Sequence, residues 1–505
     1  MLDLLGAGRP EDAAIGAPER SALTYRDLAA QVEATVTRLN DLGIGIGDRV
    51  AIVLPNGPEM ATAFVAISAG ATSAPLNPAY RAEELEFYLS DLKARAIVLD
   101  EAGHAAAESV AAKLDIPVLR LVTRPDAPAG AFTLEGEAIG ETARPGFSGE
   151  DDEALVLHTS GTTSRPKIVP LSLGNLKASA RHIRSSLALT PADRCLNVMP
   201  LFHIHGLIAA VLSSLSAGAS IVCTPGFNAL KVFHWMDDAA PTWYTAVPTM
   251  HQAILARAPR NAASVERAKL RFIRSSSSSL PPQVMAELEA TFDCPVIEAY
   301  GMTEASHQMT CNLLPPGARK PGSVGPAAGP EVAILSKDGE VLASGEIGEV
   351  CIRGPNVTGG YENNEAANAE AFAHGWFHTG DQGRLDEDGF LFLTGRLKEI
   401  INRGGEKISP REIDEVLMDH PAVAQVVCFA MPHDKLGEDV AAAVVLREGM
   451  QASEREIRDF AATRLADFKV PRKLVFLDEI PKGATGKLQR IGLADKLGLG
   501  REAAK

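Results

Sequence analysis

The run His158-Thr-Ser-Gly-Thr-Thr-Ser-Arg-Pro-Lys167 concentrates hydroxyls, a glycine and cations directly after the apolar residues 154–157. A strand that enters such a turn can surround a polyphosphate with backbone N–H groups, hydroxyls and an ammonium. The run lacks the Gly-Lys-Ser/Thr ending that opens a helix in the usual nucleotide P-loop. By composition alone the same cluster also suits a solvated turn. Its candidate phosphate contacts are Thr159, Ser160, Gly161, Thr162, Thr163 and Lys167.

A loop of this kind needs a rigid frame, and the chain supplies alternating elements. Residues 25–42 and 59–69 read as helices, while 49–55, 96–100, 219–224 and 270–275 read as strands. Strands alternating with helices predict an α/β fold with largely parallel sheets, whose ligand sites lie beyond the strand C-termini. Residues 345–354 and 390–395 read as meander strands, and 124–150, rich in Ala, Pro and Gly, as a surface loop. The texture changes at 395–398, and about a hundred residues of β-α-β type follow, the size of a small domain.

A chain of 505 residues exceeds one ordinary core, so two or more domains are expected. Its 46% hydrophobic and 22% charged residues fit a globular protein, and a net charge of −15 argues against nucleic acid and anionic membranes as partners. No apolar stretch reaches the ~20 residues of a membrane span. Cys195, Cys223, Cys294, Cys311, Cys351 and Cys428 form no CxxC pair, which predicts reduced, mostly buried thiols. With no signal-like start and no peroxisomal address at the end, the expected location is the cytoplasm.

Four further segments accompany the loop: Tyr300-Gly-Met-Thr-Glu304, Thr379-Gly-Asp381, Gly395-Arg-Leu-Lys398 and Pro481-Lys-Gly-Ala-Thr-Gly-Lys487. Together, in this order and over nearly the whole chain, they resemble the adenylate-forming acyl-CoA synthetase family. The resemblance implies a large N-terminal domain, 1–396, of mixed and parallel sheets with a small distorted β-barrel. It also implies a small mobile α+β domain, 397–505. The implied reaction is attack of a carboxylate on the α-phosphorus of ATP, followed by displacement of AMP by coenzyme A. One anion attacking another requires charge neutralisation and fixed geometry.

On that resemblance, the loop holds the departing phosphates, and Ser276, Ser277, Glu298, Ala299, Tyr300 and Gly301 line the nucleotide, with Tyr300 against adenine. Thr303 bonds the α-phosphate, Glu304 helps hold Mg2+, a hard cation suited to carboxylate oxygen, and His203 joins the catalytic set. Asp381 accepts hydrogen bonds from the ribose hydroxyls, strengthened by its charge, and Arg396 is a second ribose or phosphate contact. Lys487 bridges substrate carboxylate and α-phosphate. Lys398 is the hinge, and Arg403, Gly404, Gly405 and Lys407 meet coenzyme A.

The acid pocket departs from the family average in the polar direction. His205 stands in Pro200-Leu-Phe-His-Ile-His205, serines fill 275–279, and His307 follows the Tyr-Gly-Met-Thr-Glu motif. An apolar acid calls for an apolar lining; imidazoles and hydroxyls suit a small, doubly charged acid. These departures, with Ser164 in the usual glycine's place, resemble the oxalate–CoA ligase branch of the family. His205, Ser277 and His307 are therefore expected at the distal carboxylate. Another short, hydroxylated or aromatic acid, a stand-alone acyl-adenylating enzyme, a luciferase-like oxygenase and a non-catalytic nucleotide-binding module remain alternatives. No nucleic-acid or membrane partner is expected, and the chain is expected to be a monomer or homodimer.

Overall fold

The computed structural model describes residues 1–159, 166–482 and 488–500. Ser160, Gly161, Thr162, Thr163 and Lys487 lie outside the described residues.

A seven-stranded sheet runs in the spatial order Thr133–Glu135, Val118–Val122, Ala96–Asp100, Arg49–Val53, Thr72–Pro75, Glu153–His158 and Ile168–Ser172. Its inner pairs are parallel and its two outer pairs antiparallel. Arg49–Val53 and Ala96–Asp100 are nearly continuous apolar runs because both faces are covered: Val50, Ala51 and Ile52 are buried. The helix Tyr25–Asp41 covers part of this core. Thr24 caps it by accepting the Asp27 N–H, and Leu28, Val32, Val36 and Leu39 bury one face at helical spacing. The helix 59–69 of the sequence reading is Pro58–Ile67.

The eight-stranded sheet orders His307–Cys311, Val296–Met302, Phe272–Ser276, Trp243–Ala246, Arg194–Asn197, Ser220–Cys223, Ala13–Ala17 and Arg20–Thr24. It too is parallel within and antiparallel at both margins. Beside it stands a four-stranded antiparallel sheet, Glu331–Leu335, Gly348–Arg353, Phe377–Leu385 and Leu391–Arg396. From Ile401 onward the strands build a separate sheet, with Val423–His433 paired to Gly437–Leu446 and helices Pro410–Met418 and Glu454–Ala462. The architecture is thus α/β, with a large N-terminal and a small C-terminal domain.

One expectation needs correction. Segment 124–150 does not only loop over the surface: Thr133–Glu135 pairs with Val118–Val122, and Ala129, Phe132 and Leu134 are buried. Three residues are too few to show an alternating pattern in sequence. The thiol expectation holds, since all six cysteines are free and buried. Among the described residues no helix is long and apolar enough to cross a membrane.

The small domain rests on the large one through Arg411 Nη2 donating to the Gly322 carbonyl (3.4 Å) and Gln252 Nε2 to the Ala424 carbonyl (3.3 Å). A cleft of about 1170 Å³ opens at this junction, lined among others by Thr249, Phe292, Met418, Arg447 and Lys482.

Candidate active site

The residues expected at the nucleotide gather where parallel strands end. Phe272–Ser276 and Val296–Met302 pair Ser275 with Glu298 and Ser276 with Ala299, and Ser276 Oγ donates to the Ala299 carbonyl at 2.8 Å. This places Ser276 and Ser277 beside Glu298, Ala299, Tyr300 and Gly301 at the C-terminal margin, where open α/β sheets bind ligands. Gly301 lies against the next strand so closely that a Cβ there would sit 1.7 Å from the His307 carbonyl oxygen.

Glu298 is almost fully buried; its Oε1 accepts the Leu280 N–H at 2.9 Å, and Oε2 has no hydrogen-bond partner among the described residues. Burial raises its carboxyl from the ordinary 4.5 to about 7, so the folded protein favours the neutral acid. The stability this proton carries is full below about pH 4.5 and is lost as pH rises through about 7, on the order of 3 kcal/mol. Glu298→Gln should remove that slope. Thermal melts at pH 5 and pH 8 should differ less for the variant than for the wild type, and equal slopes would contradict the assignment.

Asp381 and Arg396 face each other across the antiparallel strands Phe377–Leu385 and Leu391–Arg396. Arg396 Nε stands 3.0 Å from Asp381 Oδ1, and the Tyr300 hydroxyl donates to Asp381 Oδ2. The adjacent carboxylate raises the Arg396 guanidinium. Behind this acceptor lies a brace that sequence reasoning missed. The Asp381 N–H donates to Thr379 Oγ1 (3.1 Å), and the Gly380 N–H to Glu349 Oε1 (2.9 Å). Glu349 Oε2 is 2.9 Å from His378 Nδ1, which is also 3.4 Å from Cys351 Sγ; His378 Nε2 donates to the Ala373 carbonyl at 3.2 Å. Glu349→Gln should raise the KM for ATP roughly 10-fold with little change in kcat, the worth of one hydrogen bond to a charged group. Steady-state kinetics at saturating acid and coenzyme A check this.

Thr303 and Glu304 occupy the short turn Thr303–Ala305 that follows Tyr300-Gly-Met. Glu304 is buried; Oε1 accepts the Tyr361 hydroxyl at 2.8 Å, and its carbonyl accepts the Thr358 N–H at 2.7 Å. Lys167 Nζ lies 4.2 Å from the centre of the Tyr361 ring. At the mouth of the hydroxyl-rich loop the Thr159 N–H donates to the Lys167 carbonyl (2.9 Å) and the Lys167 N–H to Thr159 Oγ1 (3.2 Å). Among the described residues no cation lies within ion-pair distance of Glu304, and a carboxylate there is a hard oxygen donor of the kind that suits a divalent ion.

His205, Ser277 and His307, the residues expected at the acid, lie close together. His205 opens the π-helical segment His205–Leu212, a form often found at functional positions. His203 Nδ1 accepts the His205 N–H at 3.3 Å. The His205 ring sets Nδ1 3.0 Å from Ser277 Oγ and Nε2 2.6 Å from Thr245 Oγ1, and its centre is 5.0 Å from that of His307. Ser277, Ser306 and His307 have φ of 72°, 47° and 101°, values that side-chain-bearing residues avoid. Such strain persists only where the surroundings over-determine it, and it gathers at functional sites.

Arg274 completes this cluster. It is fully buried, with Nη2 donating to Gln308 Oε1 (3.2 Å) and Nη1 3.5 Å from His205 Nε2. Burial lowers it to about 10, still cationic at neutral pH. The signal was present in the sequence as a charge inside the apolar strand Phe272–Ser276. Thr245, Gln308 and Tyr361 carried no such signal.

Other predicted residues lie apart. Arg403 Nε pairs with buried Asp439 at 2.7 Å, and the Gly404 N–H donates to the Leu436 carbonyl, so these contacts run within the small domain. Gly405 and Lys407 share that hairpin, Ile401–Arg403 with Glu406–Ile408. Lys398 is exposed between the two domains' strands.

Residues 5–362 match the AMP-binding enzyme family, and 412–487 match the C-terminal domain of AMP-binding enzymes. The chain belongs to the AMP-binding enzyme family. It is 47% identical over 499 residues to the oxalate–CoA ligase of Arabidopsis thaliana, covering 97% of this chain and 96% of that one. It is 42% identical to the oxalate–CoA ligase of Saccharomyces cerevisiae, covering 96% and 94%. Among solved structures it resembles ATP-bound MatB from Rhodopseudomonas palustris, with a TM-score of 0.87 and 30% identity over 98% of both chains. Within the family this chain is an AMP-forming acid–CoA ligase, with ATP and coenzyme A as substrates.

Proposed function

We propose that this ligase activates oxalate. The observation that carries the reading is the clustering of His205, Ser277 and His307, with the buried Arg274 cation beside His205. Hydroxyl and imidazole groups can meet the distal carboxylate, whereas a fatty or aromatic acid calls for an apolar lining. The two oxalate–CoA ligases among its relatives support the same acid.

In this reading Asp381 and Arg396 hold the ribose, and Tyr300 presents its ring to adenine beside Ser276, Glu298, Ala299 and Gly301. Thr303 bonds the α-phosphate, and the loop from Thr159 to Lys167 takes the departing phosphates. Glu304 would hold Mg2+, which would offset phosphate charge. His203 stands next to the acid, and Lys487 stabilises the charge that develops as the near carboxylate attacks. After adenylation the domain 397–505 turns about Lys398, away from 1–396, and brings Arg403, Gly404, Gly405 and Lys407 toward coenzyme A.

AMP release measured with oxalate, malonate, acetate, 4-coumarate and octanoate, with and without coenzyme A, tests the assignment. Oxalate should give the highest kcat/KM. Preference for an apolar acid would overturn it while leaving the adenylation chemistry intact.

A further inference from the structure

We propose that Arg274 is a positioning residue that makes the acid pocket demand a second negative charge on its substrate, acting through His205 and Ser277. The inference rests on the acid assignment above and adds to it the source of the discrimination.

A buried guanidinium without a carboxylate is costly, and proteins keep one where something else balances it. Arg274 sits at the middle of the parallel strand Phe272–Ser276, fully buried, where its neighbours Phe272 and Ile273 are apolar. Among the described residues no Asp or Glu pairs with it, and its Nε has no hydrogen-bond partner. Its contacts are the neutral Gln308 Oε1 and the edge of His205. Gln308 cannot turn away, because its Nε2 already donates to Ser186 Oγ (3.0 Å) and the Ala328 carbonyl (3.1 Å). The positive charge therefore meets no carboxylate among the described residues, and His205 is the group between it and Ser277.

Arginine is donor-only, and its positive charge beside His205 Nε2 favours the tautomer in which that nitrogen bears the lone pair. In that tautomer the lone pair takes the Thr245 hydroxyl at 2.6 Å, and the 3.5 Å approach of Arg274 Nη1 is an electrostatic contact. His205 consequently carries its proton on Nδ1 and donates to Ser277 Oγ, 3.0 Å away. With its oxygen occupied as an acceptor, the Ser277 hydroxyl keeps its own hydrogen for the substrate. Its left-handed backbone, φ 72°, holds the side chain in that place. A carboxylate accepts this hydrogen and balances the arginine; an amide of the same shape offers a weaker acceptor and no charge.

The test compares oxalate with oxamate, in which one carboxylate becomes an amide. For Arg274→Met and Arg274→Gln we expect kcat/KM for oxalate to fall on the order of 100-fold, chiefly through KM. The oxamate inhibition constant and the KM for ATP should change little. Arg274→Lys should recover most of the oxalate preference, and it keeps the comparison available if the neutral variants fold poorly. Equal losses for oxalate and oxamate in a folded variant would overturn the role of Arg274 alone. A wild type that prefers acetate or octanoate to oxalate would instead overturn the acid assignment beneath it.

Discussion

Replacing Lys487 with alanine should stop acyl-adenylate formation, slowing it by about 1000-fold or more, while thioester formation from a supplied acyl-adenylate continues. In the first step a carboxylate approaches an α-phosphate that already bears negative charge, so a cation placed between them acts mainly in the transition state. In the second step a thiol attacks an activated acyl group, and the leaving AMP needs no such bridge. Lys487 lies outside the described residues, but the stem of its loop is defined. Lys482 pairs with Leu488 in an antiparallel bridge, and the Gln489 N–H donates to the Pro481 carbonyl at 3.2 Å. Pyrophosphate exchange measures the first half-reaction, and coenzyme A consumption with synthetic oxalyl-adenylate the second. Equal loss of both would refute the role.

Gly301→Ala should remove activity toward every acid and weaken the fold together. The added methyl would overlap the His307 carbonyl, 1.7 Å away, and crowd the carbonyl carbon at 2.5 Å. Both atoms are backbone, so no rotamer change relieves the clash, and the two strands must separate. We expect a cost of roughly 3 kcal/mol and loss of binding on both sides of the site, because the proposed roles put Tyr300 at the nucleotide and His307 at the acid. Calorimetry and ATP titration follow the two effects. A variant with wild-type melting and wild-type ATP affinity would show that the strands tolerate separation.

The frame was readable because its signals are local. Ala96–Asp100 and Arg49–Val53 are runs of Val, Ile, Leu and Ala bounded by polar residues, and Thr24 with Asp27 marks the start of a helix. The motifs around Tyr300, Glu304, Asp381 and Arg396 were readable as a set, and cross-strand register explains why they meet. His205, Ser277 and His307, proposed for the acid, could be singled out because each departs from a familiar pattern in the polar direction. What stayed hidden depends on distance in space. Glu349 and His378 brace Gly380 across two strands, and Tyr361 reaches Glu304 from a loop 57 positions later. A three-residue strand such as Thr133–Glu135 has no period to detect.

The hairpin that carries the hydroxyl-rich loop also seals one border of its sheet. Ile168–Ser172 is the last strand of the seven, where an open row of backbone groups would invite pairing with another molecule. Here Pro170 has no N–H to offer, and its carbonyl accepts the Thr358 hydroxyl. The Ile168 carbonyl takes the Glu362 N–H, and the Ser172 N–H goes to Asn175 Oδ1. This margin of the sheet is therefore a poor template for strand-by-strand aggregation.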